Sequence, residues 1–205
     1  MGLVVTRILR EDWEIEPRLA ELSLDKRKLL RVRSKAISAA ADATPFHAAN
    51  ASGTFSYHYG TFELRDEFVG DVWKLDRLEG VEAICNDEIK VKIIFVNVDI
   101  AHDYEHDPKP RSRKGAGSER MCSGNLFPDL PRYAPAQAKG WSIYYLMVDE
   151  HGAAELSCTV VRNGTFVAPV ERIFLSDGSD IDGEAKLPLD DKDAANDFDP
   201  KVARK

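Results

Sequence analysis

The twelve residues Lys109-Pro-Arg-Ser-Arg-Lys-Gly-Ala-Gly-Ser-Glu-Arg120 gather five cations around one anion. Arg111, Arg113, Lys114 and Arg120 suit a phosphate, because guanidinium and ammonium groups donate charge-assisted hydrogen bonds to its oxygens. Ser118 adds a hydroxyl donor, and Lys109 opens the segment with a further charge. Gly115 and Gly117 have no side chain to hold a ligand off the backbone, so an anion nest of successive N–H groups is expected there. A second set of cations, Arg27, Lys28, Arg31 and Lys35, falls on one face of an expected helix. Leu29, Val32, Ala36, Ile37 and Ala40 fall on the other. Cations segregated in this way create a local field that an acidic total does not cancel. The expected chemistry is binding of a phosphate-bearing partner, nucleic acid first among them, without catalysis. The plainer alternatives are a solvated helix face and a loop whose cations pair with its own acidic half.

That acidic half is His102-Asp-Tyr-Glu-His-Asp107. Its His102-x-x-Glu105-His106 matches the H-x-x-E-H pattern of inverted zinc proteases, which needs both histidines one helical turn apart. Pro108 follows too closely for a stable helix, so a surface metal ion is the most this cluster is expected to hold. Glu88-Ile-Lys90 resembles the E-x-K strand of the restriction-endonuclease-like nucleases. That resemblance implies a divalent metal held by Glu88 and an upstream acid such as Asp76, with Lys90 beside them. With Asn86-Asp87 as a hairpin turn, Lys90 would face Ala83 and Lys92 would face Val81, so the acid would have to arrive from outside the hairpin. A divalent metal is expected only under this nuclease alternative, and no other cofactor is. No Walker loop, Rossmann fingerprint or G-x-S-x-G is present.

These residues need elements to position them. Residues 12–42 read as helix, in two pieces meeting near Ser23, with Ser23 or Asp25 as cap and Pro45 as terminator. Residues 45–69 carry two signals: Phe55, Tyr57 and Tyr59 alternate with Ser56 and His58 as in a strand, while other residues recur at helical spacing, and helix is the preferred of the two readings. Ala49, Gly53, Ser56 and Gly60 form a small-residue stripe that lets another backbone pack closely. His47, Asn50, Thr54, Tyr57 and Thr61 form the stripe beside it. The second half reads as hairpins: 80–85 with 88–99, 142–148 with 154–161, and Asn163-Gly164 turning into 165–175. The expected class is α+β: an N-terminal helical block on an antiparallel sheet of about five strands. Residues 100–140 hold five of the ten prolines without periodicity and are expected to be a long functional or disordered loop.

The composition bounds the rest. Among 205 residues, 28 basic and 35 acidic side chains give a net charge of −7. Residues 176–205 hold nine acids against five bases, a net −4, which leaves −3 on residues 1–175. The expectation is one domain over 1–175 and a partly disordered acidic tail over 176–205. The tail supplies a third reading, a protein–protein adaptor. Cys85, Cys122 and Cys158 are odd in number and widely spaced, which argues for free thiols and a cytoplasmic setting. No apolar run is long enough to span a membrane.

Overall fold

A computed structural model describes residues 6–78, 80–122 and 140–181. The part of the acidic tail beyond 181 and the stretch 123–139 lie outside the described residues. After strand β1 (Arg7–Leu9) come helices α1 (Asp12–Glu21) and α2 (Lys26–Ala41). The expected break between the helices is present. Ser23 takes a left-handed φ of 57°, and Asp25 caps α2 by accepting the Lys28 N–H at 2.9 Å. Leu29, Val32 and Ala36 of α2 are fully buried.

Helix α3 (Ala51–Phe68) covers most of the segment read as helix. The strands that follow are β2 (Lys74–Leu78), β3 (Val81–Asn86) and β4 (Val91–Asn97). Helix α4 (Ala116–Cys122) precedes β5 (Ser142–Val148), β6 (Ala154–Arg162) and β7 (Thr165–Ser176). The small stripe of α3 packs on β4. A Cβ built on Gly60 would collide with the ring of Phe95, a fully buried side chain. Ser56 donates to Asn97 Oδ1 at 2.8 Å, and Asn97 Nδ2 donates to the Gly53 carbonyl at 2.8 Å.

The strands form one sheet in the order β1-β7-β6-β5-β4-β3-β2. The α+β class holds, but the expected sheet of about five antiparallel strands is corrected to seven strands of mixed direction among the described residues. The β1–β7 and β4–β5 pairs are parallel. Two short edge strands escaped the reading because β1 is three residues long and β2, Lys-Leu-Asp-Arg-Leu, is mostly polar. The expected turn at Asn86-Asp87 is also corrected. Asn86 pairs with Val91 and Cys85 with Lys92, so the turn spans Asp87 to Lys90. Asn86 Oδ1 accepts the Glu88 N–H at 3.0 Å, and Lys90 takes a left-handed φ of 54°, which together close the longer turn. The Asn163-Gly164 turn stands as expected, with both residues at positive φ and Arg162 paired to Thr165.

Both faces of the sheet are covered. On one, Ile93, Phe95, Leu146, Leu156 and Ile173 join Leu19, Leu29, Val32 and Leu64 of the helices. On the other, Ile94, Val96, Ile143, Tyr145 and Val161 join Met121 and Cys122 of α4. The connection after β4 was expected to lack structure, but its described parts are anchored. Val98 bridges Pro110, the Ala101 N–H reaches Asp149, and the His102 N–H reaches Glu155 at 2.9 Å. Glu155 is fully buried and makes a two-point pair with Arg172, 1% exposed, at 2.9 and 2.7 Å. Removing one partner of so buried a pair costs about 3–5 kcal/mol, because the other charge is stranded.

The body continues past residue 175. Arg33, on the apolar side of α2, is 1% exposed. It donates to Asp180 at 2.7 and 2.8 Å and to Ser176 at 2.9 Å. Bonding to Arg33 holds the Asp180 carboxyl well below its ordinary range. The stability this contributes is full above an ordinary Asp pKa of about 3.9 and is lost as pH falls toward the folded value.

Three outcomes are expected. Gly60→Ala should destabilise the fold by ~1–2 kcal/mol in denaturant titration, because overpacking against Phe95 outweighs the helix-propensity gain. Gly53→Ala, whose new Cβ would meet only Asn97 Nδ2 at 4.0 Å, should be neutral or stabilising by up to about 1 kcal/mol. Asp180→Asn should cost ~1–3 kcal/mol at pH 7 by weakening the hold on a buried guanidinium. It should also flatten the loss of stability below pH about 4, read as melting temperature against pH.

Candidate anion-binding cleft

Strand β3 pairs with β2 over five consecutive residues, Val81 to Cys85. Its ladder with β4 covers only Ile84–Asn86 against Val91–Ile93. Strand β4 nevertheless continues to Asn97 alongside β5. The two strands therefore part, and a cleft of about 640 Å³ lies where they separate. Gly80, Val81 and Glu82 form one wall and Ile94 to Asn97 the other. Ala49, Asn50, Ser52, Gly53, Thr54 and Tyr57, around the first turns of α3, line it further. Arg111 to Gly115, Ser118 and Glu150 complete the lining.

Helix α3 braces both walls. Ser56 and the Gly53 carbonyl hold Asn97 of β4. Arg65, further along the helix, holds Glu82 of β3, which also accepts from Arg77 Nε at 3.1 Å. Bonding to Arg65, with Arg77 adding to it, keeps the Glu82 carboxyl below its ordinary range.

The basic segment is fixed from the other side. The Arg111 N–H donates to the Asn97 carbonyl at 3.0 Å, and the Lys114 N–H donates to the Gly164 carbonyl at 2.9 Å. A Cβ built on Gly164 would collide with Arg113 Cγ, so the stem of Arg113 lies over this hairpin turn and requires glycine there.

The two acids of the lining are already neutralised. Glu82 is held by Arg65 and Arg77, and Glu150 accepts from Arg111 at 2.6 Å. Arg113 and Lys114 have no carboxylate partner among the described residues. Lys114 is half-buried, and burial pushes its amine down to about 8. Lys114, Ser118 and Cys122 follow one another at four-residue spacing, from just before α4 to its last residue. Tyr145 of β5 contacts Cys122 Sγ at 3.0 Å. Burial pushes the Cys122 thiol up to about 12, so it stays protonated at neutral pH. All three cysteines are free and buried.

The residues singled out in the sequence are thus partly united. Asn50, Thr54 and Tyr57 of one stripe meet Arg111, Arg113, Lys114, Gly115 and Ser118 of the basic segment. His47 lies before α3, where its Nδ1 accepts the Thr44 N–H at 2.9 Å. Gly117 is buried inside α4 rather than in open loop backbone, because residues 116–122 coil into a helix. Arg120 is exposed on α4, and Lys109 is exposed while its backbone pairs with Asp99. The cations of α2 are largely engaged with α3. Lys28 donates to the Glu67 carbonyl, Arg31 makes a two-point pair with the Glu67 carboxylate, and Lys35 lies over the Tyr59 ring. Arg27 is exposed.

Most residues of the alternative sites have partners of their own. Asp76 lies opposite Ala83 and is bonded to Lys92. Glu88 and Lys90 sit in the turn beyond Asn86, with Lys90 over the Trp141 ring. His102 stacks on Phe174, His106 pairs with Asp99 at 3.0 Å, and Glu105 is exposed. Among the described residues, no group of three or more His, Cys, Asp or Glu side chains is placed to hold a metal ion. No described helix is long and apolar enough to cross a membrane. Sequence reasoning missed Asn97, Glu82 and Gly164 as parts of this site. Only Gly164 left a signal, as half of an Asn-Gly turn. No known protein family matches the chain, and neither does any curated protein or solved structure.

Proposed function

We propose that this chain is a binding domain, without catalysis of its own, for a phosphate-bearing ligand held in the cleft between α3 and residues 111–118. The observation that carries the reading is the pair Arg113 and Lys114. Both line a cleft whose acids, Glu82 and Glu150, are already neutralised by other arginines. Lys114, half-buried and without a carboxylate partner among the described residues, gains more from an incoming anion than a solvated cation does, and Arg113 is exposed beside it. The Ser52 hydroxyl and the Asn50 amide line the same cleft as neutral donors, while the Thr54 hydroxyl donates to the Asn50 carbonyl and Ser118 bonds to Tyr145.

The cleft volume of about 640 Å³ falls in the usual range for small-ligand sites, roughly 300–1,000 Å³. A nucleotide, or the phosphorylated end of a nucleic-acid strand, fits that size. A duplex tracked along α2 is less well supported, because Lys28 and Arg31 are occupied by Glu67. The three buried free thiols suit a reducing compartment such as the cytoplasm.

The test is fluorescence anisotropy with a labelled adenosine diphosphate and with short 5′-phosphorylated single-stranded DNA and RNA, titrated over salt. Binding at low salt that weakens as salt rises is expected. Arg113→Ala and Lys114→Ala should each weaken it about tenfold, a loss of ~1.4 kcal/mol, while Arg27→Ala leaves it unchanged. No binding at low salt, or binding indifferent to both cleft substitutions, would overturn the reading.

A further inference from the structure

We propose that Lys114 is a reactive amine, one that condenses reversibly with the carbonyl carbon of an aldehyde ligand bound in the cleft. For the phosphate group of such a ligand, the proposal rests on the anion-binding reading of the same cleft; for the amine it stands on the geometry of Lys114 itself. Most lysines among the described residues are committed. Lys26 bonds to Asp12, Lys28 to the Glu67 carbonyl, Lys74 to Asp87 and Lys92 to Asp76. Lys35 and Lys90 lie over aromatic rings. Lys114 has no such partner among the described residues. It is also the lysine whose backbone is pinned, by its bond to Gly164, at the lining of a ligand-sized cleft.

An ammonium that is partly desolvated and unpaired gives up its proton readily. With burial bringing it to about 8, roughly one-tenth of Lys114 is free amine at pH 7, against a few parts in ten thousand for an ordinary lysine. The charged and titratable groups around it do not reverse this. Arg113 beside it is a cation. Cys122 on α4 stays a neutral thiol, and burial raises the Tyr145 hydroxyl on β5 well above its usual range. Tyr57 on α3 is likewise raised by burial. The cleft acids Glu82 and Glu150 are held by Arg65, Arg77 and Arg111.

The chemistry balances without an oxidant or a metal. The Nζ lone pair attacks the carbonyl carbon and a C–N bond forms. Two protons move from nitrogen to oxygen, the C–O bond breaks, and water leaves to give the imine. Arg113 stands next in the chain to receive a phosphate on the same ligand.

The probe is pyridoxal 5′-phosphate, beside pyridoxal without the phosphate, each trapped by borohydride, which reduces the imine to a secondary amine. Peptide mass spectrometry then locates the adducts. Lys114 should be modified at least tenfold faster than any other lysine. Its rate should rise with pH through a midpoint of about 8, and excess inorganic phosphate should slow the phosphorylated probe. Lys114→Arg, which keeps the charge and lacks the nucleophile, should lose this adduct, while Arg27→Ala, outside the cleft, should keep it. Preference for Lys114 with both probes and no effect of phosphate would support the reactive amine and overturn the anion-binding reading. Adducts spread over the exposed lysines without preference for Lys114, in a protein that still binds adenosine diphosphate, would overturn the reactive amine alone.

Discussion

Helix α3 lies on strand β4 through its small residues, which leave room for side chains of the strand. Gly60 rests on the Phe95 ring, and one turn or two earlier the Asn97 side chain reaches across to Ser56 and to the Gly53 carbonyl. A larger residue at 60 would lift the helix off the strand. The Asn97 bonds would then be lost, and with them the position of the first turns of α3. The same helix uses Arg65 to hold Glu82 of β3. The parting of β3 from β4, and the cleft within it, are thus braced by one helix that grips both strands.

The opposite side of the cleft depends on a sheet buried on both faces. Strands so placed are apolar throughout rather than alternating, and Ile143 to Val148 are buried without a break. The second face is covered by the described part of the connection between the parallel strands β4 and β5, with Ala101, Met121 and Cys122. That connection is fastened by buried acids: Glu155, paired with Arg172, takes the His102 N–H, and Asp149 takes that of Ala101. A crossover laid on the sheet in this way brings Arg111 back to Asn97 at the carboxyl end of β4 and Lys114 to the β6–β7 turn at Gly164. The basic segment is therefore part of the fold's closure, and the charges at its centre are the ones left without carboxylate partners among the described residues.

Much of this was legible in the chain. The helix break at Ser23, the small stripe of α3 and the Asn163-Gly164 turn each have local causes, and each is found where its residues placed it. What was not legible is long-range. Nothing near Lys28 and Arg31 reveals that Glu67 will occupy them. Nothing near Asn86-Asp87 distinguishes a two-residue turn from the four-residue one that the Asn86 side chain closes. The number of strands was undercounted because β1 and β2 are edges, short or polar, and owe their pairing to neighbours far along the chain. The apolar runs of β4 and β5 did carry a signal that both faces are covered, and hence that part of the connection between them must lie on the sheet. The stripe Asn50, Thr54 and Tyr57 was identified, as was the basic segment, but their meeting depends on the crossover and not on either segment alone.

An unpaired, partly desolvated cation in the cleft, ready for an anion, has a direct signature in its own titration. It is read by following the Lys114 side chain by heteronuclear NMR as pH is raised, with and without inorganic phosphate. A midpoint of about 8 is expected in the free protein, moving upward when phosphate is added, because a bound anion favours the charged form. A midpoint near the ordinary lysine value of about 10.4, unmoved by phosphate, would contradict it.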